Sequence, residues 1–138
     1  MRITQESDYG LRVVLYLSKL GYGKRIEAKS IAKNENVPLR FLLKLLRKLT
    51  HSGIIKSYRG VNGGYALNLM PEEITLMSII KAIDGPIYLN RCLYDPGHCT
   101  ANRNGHCYIH NSLLRVQNRL IKELESINFK DILENKIK

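Results

Sequence analysis

The first part of the chain contains three segments in which apolar residues recur every three or four positions, a spacing typical of amphipathic helices. We expect these helices to cover Asp8 to Leu20, Glu27 to Asn34, and Pro38 to about His51. Gly21 interrupts the apolar pattern after the first helix. The turn Asn36-Val37-Pro38 separates the other two, and its proline suits the first turn of a helix.

Two short strand-like runs follow the third helix. Ile54–Tyr58 and Tyr65–Leu69 flank the Gly-rich segment Arg59–Gly64, a pattern that predicts a β-hairpin. Thr75 is then expected to cap a fourth helix that ends at Asp84-Gly85-Pro86. Three helices followed by a hairpin is the order of a winged helix-turn-helix, in which the third helix enters the major groove of DNA.

The second half of the chain is predicted to contain an irregular segment, a long helix over Asn111–Ile127 and a short final turn at Phe129–Leu133. The long helix has an apolar stripe with helical spacing: Leu113, Val116, Leu120, Leu124 and Ile127. The stripe could form intramolecular core. Since the preceding module is small and is expected to have its own core, an isologous homodimer through this helix explains the stripe better.

The predicted fold is therefore mainly α with a small β-hairpin. Residues 1–85 form a winged helix-turn-helix module, residues 86–110 a cysteine-rich loop, and residues 111–138 a dimerisation helix with a C-terminal turn. Together they make one domain of 138 residues.

Charge is unevenly distributed along the chain, whose net charge is +10. Residues 1–70 contain 13 Lys and Arg against 4 Asp and Glu, whereas residues 71–138 contain 9 against 8. A basic first half favours an N-terminal face that binds a polyanion, although a generally basic protein would have the same composition.

The N-terminal segment is not typical of a secretion signal or a membrane span. Its longest apolar run, Val13 to Leu17, is far too short to cross a bilayer. We therefore expect a cytoplasmic protein without membrane contact, in which thiols stay reduced.

The predicted third helix combines a basic and an apolar face. The basic residues share one side of the helix and are Arg40, Lys44, Arg47 and Lys48. The apolar stripe, expected to pack on the first two helices, is Leu39, Leu42, Leu43, Leu46 and Leu49. Lysine and arginine neutralise phosphates, and arginine can also form a bidentate pair of hydrogen bonds with O6 and N7 of guanine. The alternative is a solvated basic face.

Two apolar residues lie beside this basic stripe, and the hairpin tip supplies a further cation. Phe41 and Leu45 are expected to lie at the edge of the core, with contact to thymine methyl groups as the alternative. Arg59 and Gly60 lie at the tip, where glycine permits a close approach and an arginine suits a narrow minor groove. A flexible, solvated tip is the alternative.

The three cysteines, Cys92, Cys99 and Cys107, are confined to a loop rich in Gly and Asn, together with three of the four histidines. Three thiols cannot all pair within one chain, so ligation is favoured over a disulfide framework. Their wide spacing suits an iron–sulfur cluster. Zinc is the main competitor, but the close C-x2–4-C pair of structural zinc sites is missing. Inert thiols remain a further alternative.

Several motifs resemble those of the Rrf2 family of bacterial transcription regulators. They are Met1-Arg2-Ile3-Thr4, Asp8-Tyr9-Gly10-Leu11-Arg12, Ile31-Ala32, Leu49 with Gly53, Arg59-Gly60-Val61-Asn62-Gly63-Gly64-Tyr65, and the triple cysteine. The resemblance covers essentially the whole chain. It implies a homodimeric winged-helix protein with a DNA-contacting wing arginine, Arg59, and an iron–sulfur cluster bound by the three thiolates.

The resemblance leaves the fourth cluster ligand and the cluster type open. His110 follows Cys107 in a C-x2-H arrangement similar to that of relatives with a Cys3His [2Fe–2S] site. Asp8 matches an aspartate that the partner subunit contributes to a [4Fe–4S] cluster in the nitric-oxide-sensing branch. Asp8 could instead compensate a helix dipole, and His110 could cap or pack near the long helix. His98 and His106 are expected to be solvated.

The expected function is a cytoplasmic, homodimeric regulator that binds double-stranded DNA at a palindromic operator. Its affinity would be controlled by a cluster that senses iron, redox state or nitric oxide. A zinc-stabilised or cluster-free repressor is the first alternative, and a small electron-transfer protein the second. An enzyme is not expected, because the sequence has neither a nucleophile–base set nor a phosphate-binding loop.

Overall fold

The computed structural model of the chain describes residues 2–103 and 105–136, and its mainly helical fold with a two-stranded hairpin confirms the predicted fold class. The elements are α1 (Gln5–Leu20), α2 (Ala28–Glu35), α3 (Leu39–His51), β1 (Ile55–Tyr58), β2 (Gly64–Leu67), α4 (Leu76–Asp84), α5 (Tyr108–Ser126) and α6 (Phe129–Leu133). Short 3₁₀ turns lie at Pro71–Glu73, Arg91–Leu93 and Pro96–His98.

Side-chain caps set the first residues of the helices. The Thr4 hydroxyl accepts a hydrogen bond from the backbone N–H of Ser7 at 3.1 Å, so α1 begins at Gln5 rather than at the predicted Asp8. The hydroxyl of Thr75 accepts from the N–H of Ser78 at 3.1 Å and starts α4 as predicted.

A single hydrophobic core lies between α1, α3 and α4. The fully or almost fully buried residues at its centre include Val13, Val14, Leu17, Leu42, Leu46, Leu49 and Ile79. Phe129 of α6 is 1% exposed and packs in the same core. Two backbone hydrogen bonds join the segment before α6 to the segment before α4. Leu76 N–H donates to Ile127 O, and Phe129 N–H donates to Ile74 O. The final turn therefore closes the core of the N-terminal module.

The packed face of α3 differs from the predicted stripe. Leu45 is completely buried, as expected for a core residue, whereas Phe41 is 52% exposed and not a core residue. Leu39 and Leu43, which the prediction assigned to the core, are also exposed. The buried face is thus rotated towards Leu45, because α1 and α4 both pack against that side of the helix.

The hairpin is paired in register from Ile55 opposite Leu67 to Tyr58 opposite Gly64. The linker before α2 adds one bridge to it, between Ile26 and Tyr65. A Cβ atom on Gly64 would lie 2.6 Å from the carbonyl oxygen of Ile26, and the φ of Gly64 is +137°. Only glycine permits this close approach.

The apolar stripe of the long helix α5 is only partly covered, and none of its members is fully buried. Gln117 is the buried one among its nineteen residues, all of which the structure describes, while Val116 is 56% exposed. The helix begins at Tyr108 instead of Asn111, because the Cys107 sulfur accepts a hydrogen bond from the His110 N–H and acts as the cap. In the described part of the chain, no helix combines the length and apolarity needed to cross a membrane.

Candidate nucleic-acid interface and cysteine pocket

The outer face of α3 presents a basic stripe. Arg40, Lys44 and Arg47 are exposed there, on the side of the helix opposite its buried leucines. Their burial pattern follows from the 3.6-residue period, which separates a four-leucine core face from a cationic outer face. This stripe can reach phosphates and base edges in a major groove.

Lys48 departs from the predicted stripe. Its ammonium lies 3.0 Å from a carboxylate oxygen of Glu6 and donates a hydrogen bond to the carbonyl of Ile83 at 3.1 Å. Both partners lie on the inner side of α3, on α1 and at the end of α4. In this structure Lys48 therefore joins three helices, and its charge is compensated.

Arg59 and Gly60 lie at the exposed tip of the hairpin loop, as predicted. The N–H of Gly63 donates to the carbonyl of Gly60 at 2.9 Å, and Gly60 has a φ of +92°. The loop is therefore a tight turn with an exposed arginine, Arg59, at its tip. We did not predict a role for Arg25, which stacks on the ring of Tyr58 at the base of this turn.

All three cysteines line one pocket of about 530 Å³ between the loop and the start of α5. His98, Arg103 and His110 also line it. The segment predicted to be irregular contains regular structure. It includes two 3₁₀ turns and an ion pair of 3.4 Å between Arg91 and Asp95. Each cysteine is partly exposed, and none is in a disulfide.

Each cysteine thiol faces N–H groups. The amide of Asn90 donates to the Cys92 sulfur at 3.6 Å, and the backbone N–H of His110 donates to the Cys107 sulfur at 3.4 Å. Backbone N–H groups of the turn that follows Cys99 point at its sulfur. At Cys99 these donors stabilise the thiolate, the form that binds metals and clusters.

Electrostatics favour ionisation of the Cys99 thiol. The backbone N–H of Arg103 lowers the pKa of the Cys99 thiol below its usual value, with further N–H groups from Ala101 and Asn102 and the Arg103 charge acting in the same direction. A lowered pKa means that the thiolate is already present at lower pH than for an ordinary cysteine.

This shift predicts the labelling behaviour of the metal-free protein. In a Cys92→Ser/Cys107→Ser variant, the rate of Cys99 alkylation by iodoacetamide is expected to rise with pH. The midpoint of this rise should lie below the ordinary thiol pKa of about 8.5. The same variant in urea is the matched control, because unfolding removes the N–H donors. Equal midpoints in the folded and unfolded protein would contradict the assigned cause.

The two candidate fourth ligands occupy different places. His110 lies in the first turn of α5 and lines the cysteine pocket. Asp8 lies on α1, exposed and 3.5 Å from the Nε of Arg12, and does not line the pocket of its own chain. His98 is exposed as predicted but lines the pocket, a position the sequence did not indicate. His106 is exposed.

The thiols are not arranged as a preformed mononuclear metal site. Among residues 2–103 and 105–136, no three Cys, His, Asp or Glu side chains come close enough to hold one ion. A tetrahedral zinc site requires its sulfur ligands within about 2.3 Å of the metal. The three thiols that line the pocket are the kind of ligand that an iron–sulfur cluster takes, so the donor set is compatible with such a cofactor.

The entrance of the cysteine loop is held by contacts with α5 and, just before the loop, with α1. The side-chain oxygen of Gln117 accepts the backbone N–H of Leu89 at 2.8 Å, which fixes the start of the loop against α5. At the end of α4, the Asp84 carboxylate accepts hydrogen bonds from the hydroxyls of Thr4 and Ser7, at 2.8 and 2.6 Å respectively. These contacts join the loop entrance to the first turn of α1.

Comparisons with known proteins agree with this architecture. The profile of the Rrf2 family, described as iron-dependent transcriptional regulators, matches residues 3–135. The HTH-type transcriptional regulator NsrR of Halalkalibacterium halodurans is 29% identical over 136 residues, covering 98% of this chain and 92% of the relative. The HTH-type transcriptional regulator CymR of Bacillus subtilis is 37% identical over 87 residues, and this match spans just under two thirds of either chain, 63% of each.

Solved structures show the same fold. The structure of CymR, the global cysteine regulator of B. subtilis, has a TM-score of 0.75 at 29% identity and covers 98% of both chains. T. potens IscR, at 22% identity and a TM-score of 0.75, supports the fold alone. Because the family profile spans almost the entire chain, the protein belongs to the Rrf2 family of DNA-binding transcription regulators, which are not enzymes.

Proposed function

We propose that this protein binds a palindromic operator as a homodimer, with α3 in the major groove and the hairpin at the flanking minor groove. The support is the exposed stripe of Arg40, Lys44 and Arg47 on α3, together with the exposed residues Arg59 and Gly60 at the hairpin tip. Two such heads related by a two-fold axis match the symmetry of a palindrome. The expected compartment is the cytoplasm, where thiols remain reduced.

The partly covered stripe of α5 supports the homodimer. Leu113, Leu120, Leu124 and Ile127 are only partly buried, Val116 is 56% exposed, and Ile109, one turn before the stripe, is 67% exposed. An isologous contact between two copies of α5 would remove these side chains from water. The dimer axis would then pass near the cysteine pocket, since Cys107 caps the start of α5.

We further propose that Cys92, Cys99 and Cys107 bind an iron–sulfur cluster that controls operator affinity. The observation that carries this proposal is the single pocket that all three thiols line, each with N–H donors. A bound cluster would supply metal–sulfur bonds that respond to iron supply, redox state or nitric oxide. His110 could complete the ligand set within the chain, whereas Asp8 could do so only across the dimer.

The contacts at the entrance of the loop give this control a physical route. The loop entrance is held by Gln117, and α4 immediately before it is bonded to α1 through Asp84 and to α3 through Lys48. A shift of the loop would therefore move the end of α4 and, with it, the DNA-facing helix. Such helix shifts are a common form of switching.

A regulator without a cluster is the second candidate. It is favoured by the similarity to CymR, which is described as a global cysteine regulator. The lowered pKa of the Cys99 thiol also suits direct chemistry at sulfur. In that case the three cysteines would respond to their surroundings as thiols.

Anaerobic purification followed by an absorption spectrum, iron and sulfide analysis and mobility-shift assays separates these functions. A cluster regulator is expected to contain iron and sulfide in equal amounts and to change operator affinity when the cluster is removed. Binding that is identical in cluster-bound and cluster-free protein would overturn the control mechanism. Failure to bind any duplex would overturn the DNA-binding role itself.

The proposed minor-groove contact predicts the effect of Arg59→Ala. The variant is expected to bind its operator more weakly and to lose preference for A/T-rich flanks, because the narrow groove attracts an arginine. Thermal unfolding should be unchanged, since Arg59 is exposed. Lys130→Ala on α6 removes the same charge away from the stripe and is the control. Unaltered flank preference in Arg59→Ala would contradict the assignment.

A further inference from the structure

Arg25, in the linker between α1 and α2, contacts the hairpin at two points. Its guanidinium carbon lies 3.6 Å from the centroid of the Tyr58 ring, a cation–π contact. Its Nη1 also donates to the carbonyl oxygen of Asn62 at 3.3 Å. Tyr58 is the last residue of β1, and Asn62 lies inside the turn. One side chain thus contacts the hairpin turn at its base and near its tip.

The backbone fixes Arg25 in the place from which it makes these contacts. The next residue, Ile26, forms two hydrogen bonds with Tyr65, of 3.0 and 2.8 Å, so the linker pairs with β2 at this position. The close approach requires Gly64, because a Cβ atom at this position would lie only 2.6 Å from the carbonyl oxygen of Ile26. The linker and the hairpin therefore move together, and Arg25 extends across to β1.

The turn itself contains little that would otherwise hold it. A Cβ atom on Gly60 would meet nothing within 4 Å, and Val61 is fully exposed, so side-chain packing does little to hold the middle of the turn. A flexible turn must be ordered when it enters a groove, and that ordering costs affinity. Arg59 directly follows Tyr58, so fixing the Tyr58 ring also limits where Arg59 can point.

We propose that Arg25 is a positioning residue that holds the hairpin turn in its DNA-binding conformation. The inference rests on the proposed function, in that Arg59 of the turn contacts DNA. It differs from a direct phosphate contact by Arg25, which its exposed position would also allow. Positioning depends on the planar guanidinium, whereas phosphate neutralisation depends only on charge.

The first measurement needs no DNA. Hydrogen exchange of the Gly63 amide, which is bonded to Gly60 O at 2.9 Å, reports on the order of the turn. Exchange is expected to be several-fold faster in Arg25→Ala and in Arg25→Lys than in the unaltered protein. Lys24→Ala, which removes the neighbouring exposed cation, is the control and should leave exchange unchanged. Unchanged exchange in Arg25→Ala would overturn the inference, whatever the protein does with DNA.

The second measurement uses operator DNA. Arg25→Ala and Arg25→Lys are expected to weaken binding about three- to tenfold, the range for losing a contact of this kind. Neither should weaken binding further in an Arg59→Ala background, because the turn then has no contact to position. Full affinity in Arg25→Lys, with a salt slope lowered by about 2 in Arg25→Ala, would identify a phosphate contact and overturn the positioning role. If the unaltered protein binds no DNA, the proposed function fails, and the exchange measurement still decides whether Arg25 orders the turn.

Discussion

Replacing Cys92, Cys99 or Cys107 with alanine is expected to abolish stable cluster binding. Each thiol lines the same pocket, and a three-thiolate set that loses one member retains too few strong ligands for an iron–sulfur cluster. After anaerobic reconstitution, the variants should lack the visible absorption, iron and sulfide of the unaltered protein. Their far-ultraviolet circular dichroism should be retained, because the cysteines lie outside the hydrophobic core.

His106→Ala is the matched control for these variants. His106 lies in the same loop, directly before Cys107, and its side chain is exposed outside the pocket lining. It should therefore retain the cluster with an unchanged spectrum. Stoichiometric zinc without sulfide in the unaltered protein, with operator binding that ignores oxidants, would contradict the cluster assignment.

The fourth ligand can be decided by pairing His110→Ala with Asp8→Ala. If His110 ligates within the chain, its loss changes the spectrum while Asp8→Ala does little. If Asp8 ligates across the dimer, the reverse is expected. Neither variant should unfold the protein, since His110 is at a helix start and the exposed Asp8–Arg12 ion pair contributes little stability. Spectra that change with neither variant would contradict both assignments.

Periodicity predicted the helices well, but their first residues depended on caps. Thr4 is an ordinary capping residue, and reading it with Ser7 would have moved the start of α1 to Gln5. The start of α5 was harder to predict from the sequence, because its cap is the sulfur of Cys107. Cysteine is not among the residues that usually mark a helix start, so the sequence indicated a ligand there and not a cap.

The faces of α3 show what a helical pattern leaves undetermined. With apolar residues at most positions, several neighbouring stripes fit the same period, and only the packing of α1 and α4 selects the one that contains Leu45. Lys48 illustrates the same limit. It lies at the edge of the basic stripe, and its orientation depends on Glu6 and Ile83, which are 42 and 35 residues away.

The remaining differences also arise from contacts that are distant in sequence. The predicted role of α5 did not include Gln117, whose partner Leu89 is 28 residues away. The sequence pattern places Phe129 in a short final turn but does not show that it is buried. Its burial depends on the backbone bridge between Thr75 and Asn128, which are distant in sequence. Local spacing predicts elements and candidate ligands, whereas their assembly around one core requires the fold itself.

Operator affinity is expected to fall steeply with salt. If each head uses Arg40, Lys44, Arg47 and Arg59, a dimer neutralises roughly 6–8 phosphates, and the slope of log K against log salt is on the order of −5 to −7. Affinity should then fall by about a thousandfold or more between about 50 and 200 mM salt. Fluorescence anisotropy with a labelled operator over that range measures the slope.

Lys44 and Lys48 form a matched pair that tests which charges act on DNA. Lys44→Ala removes an exposed cation from each head and is expected to reduce the magnitude of the slope by about 2, because two phosphate contacts are lost per dimer. Lys48→Ala should leave the slope almost unchanged and lower the thermal unfolding temperature, since Glu6 and the Ile83 carbonyl lose their partner. Equal effects of both variants on the slope would show that Lys48 leaves its ion pair to bind DNA. A slope near zero for every duplex would contradict operator binding through this face.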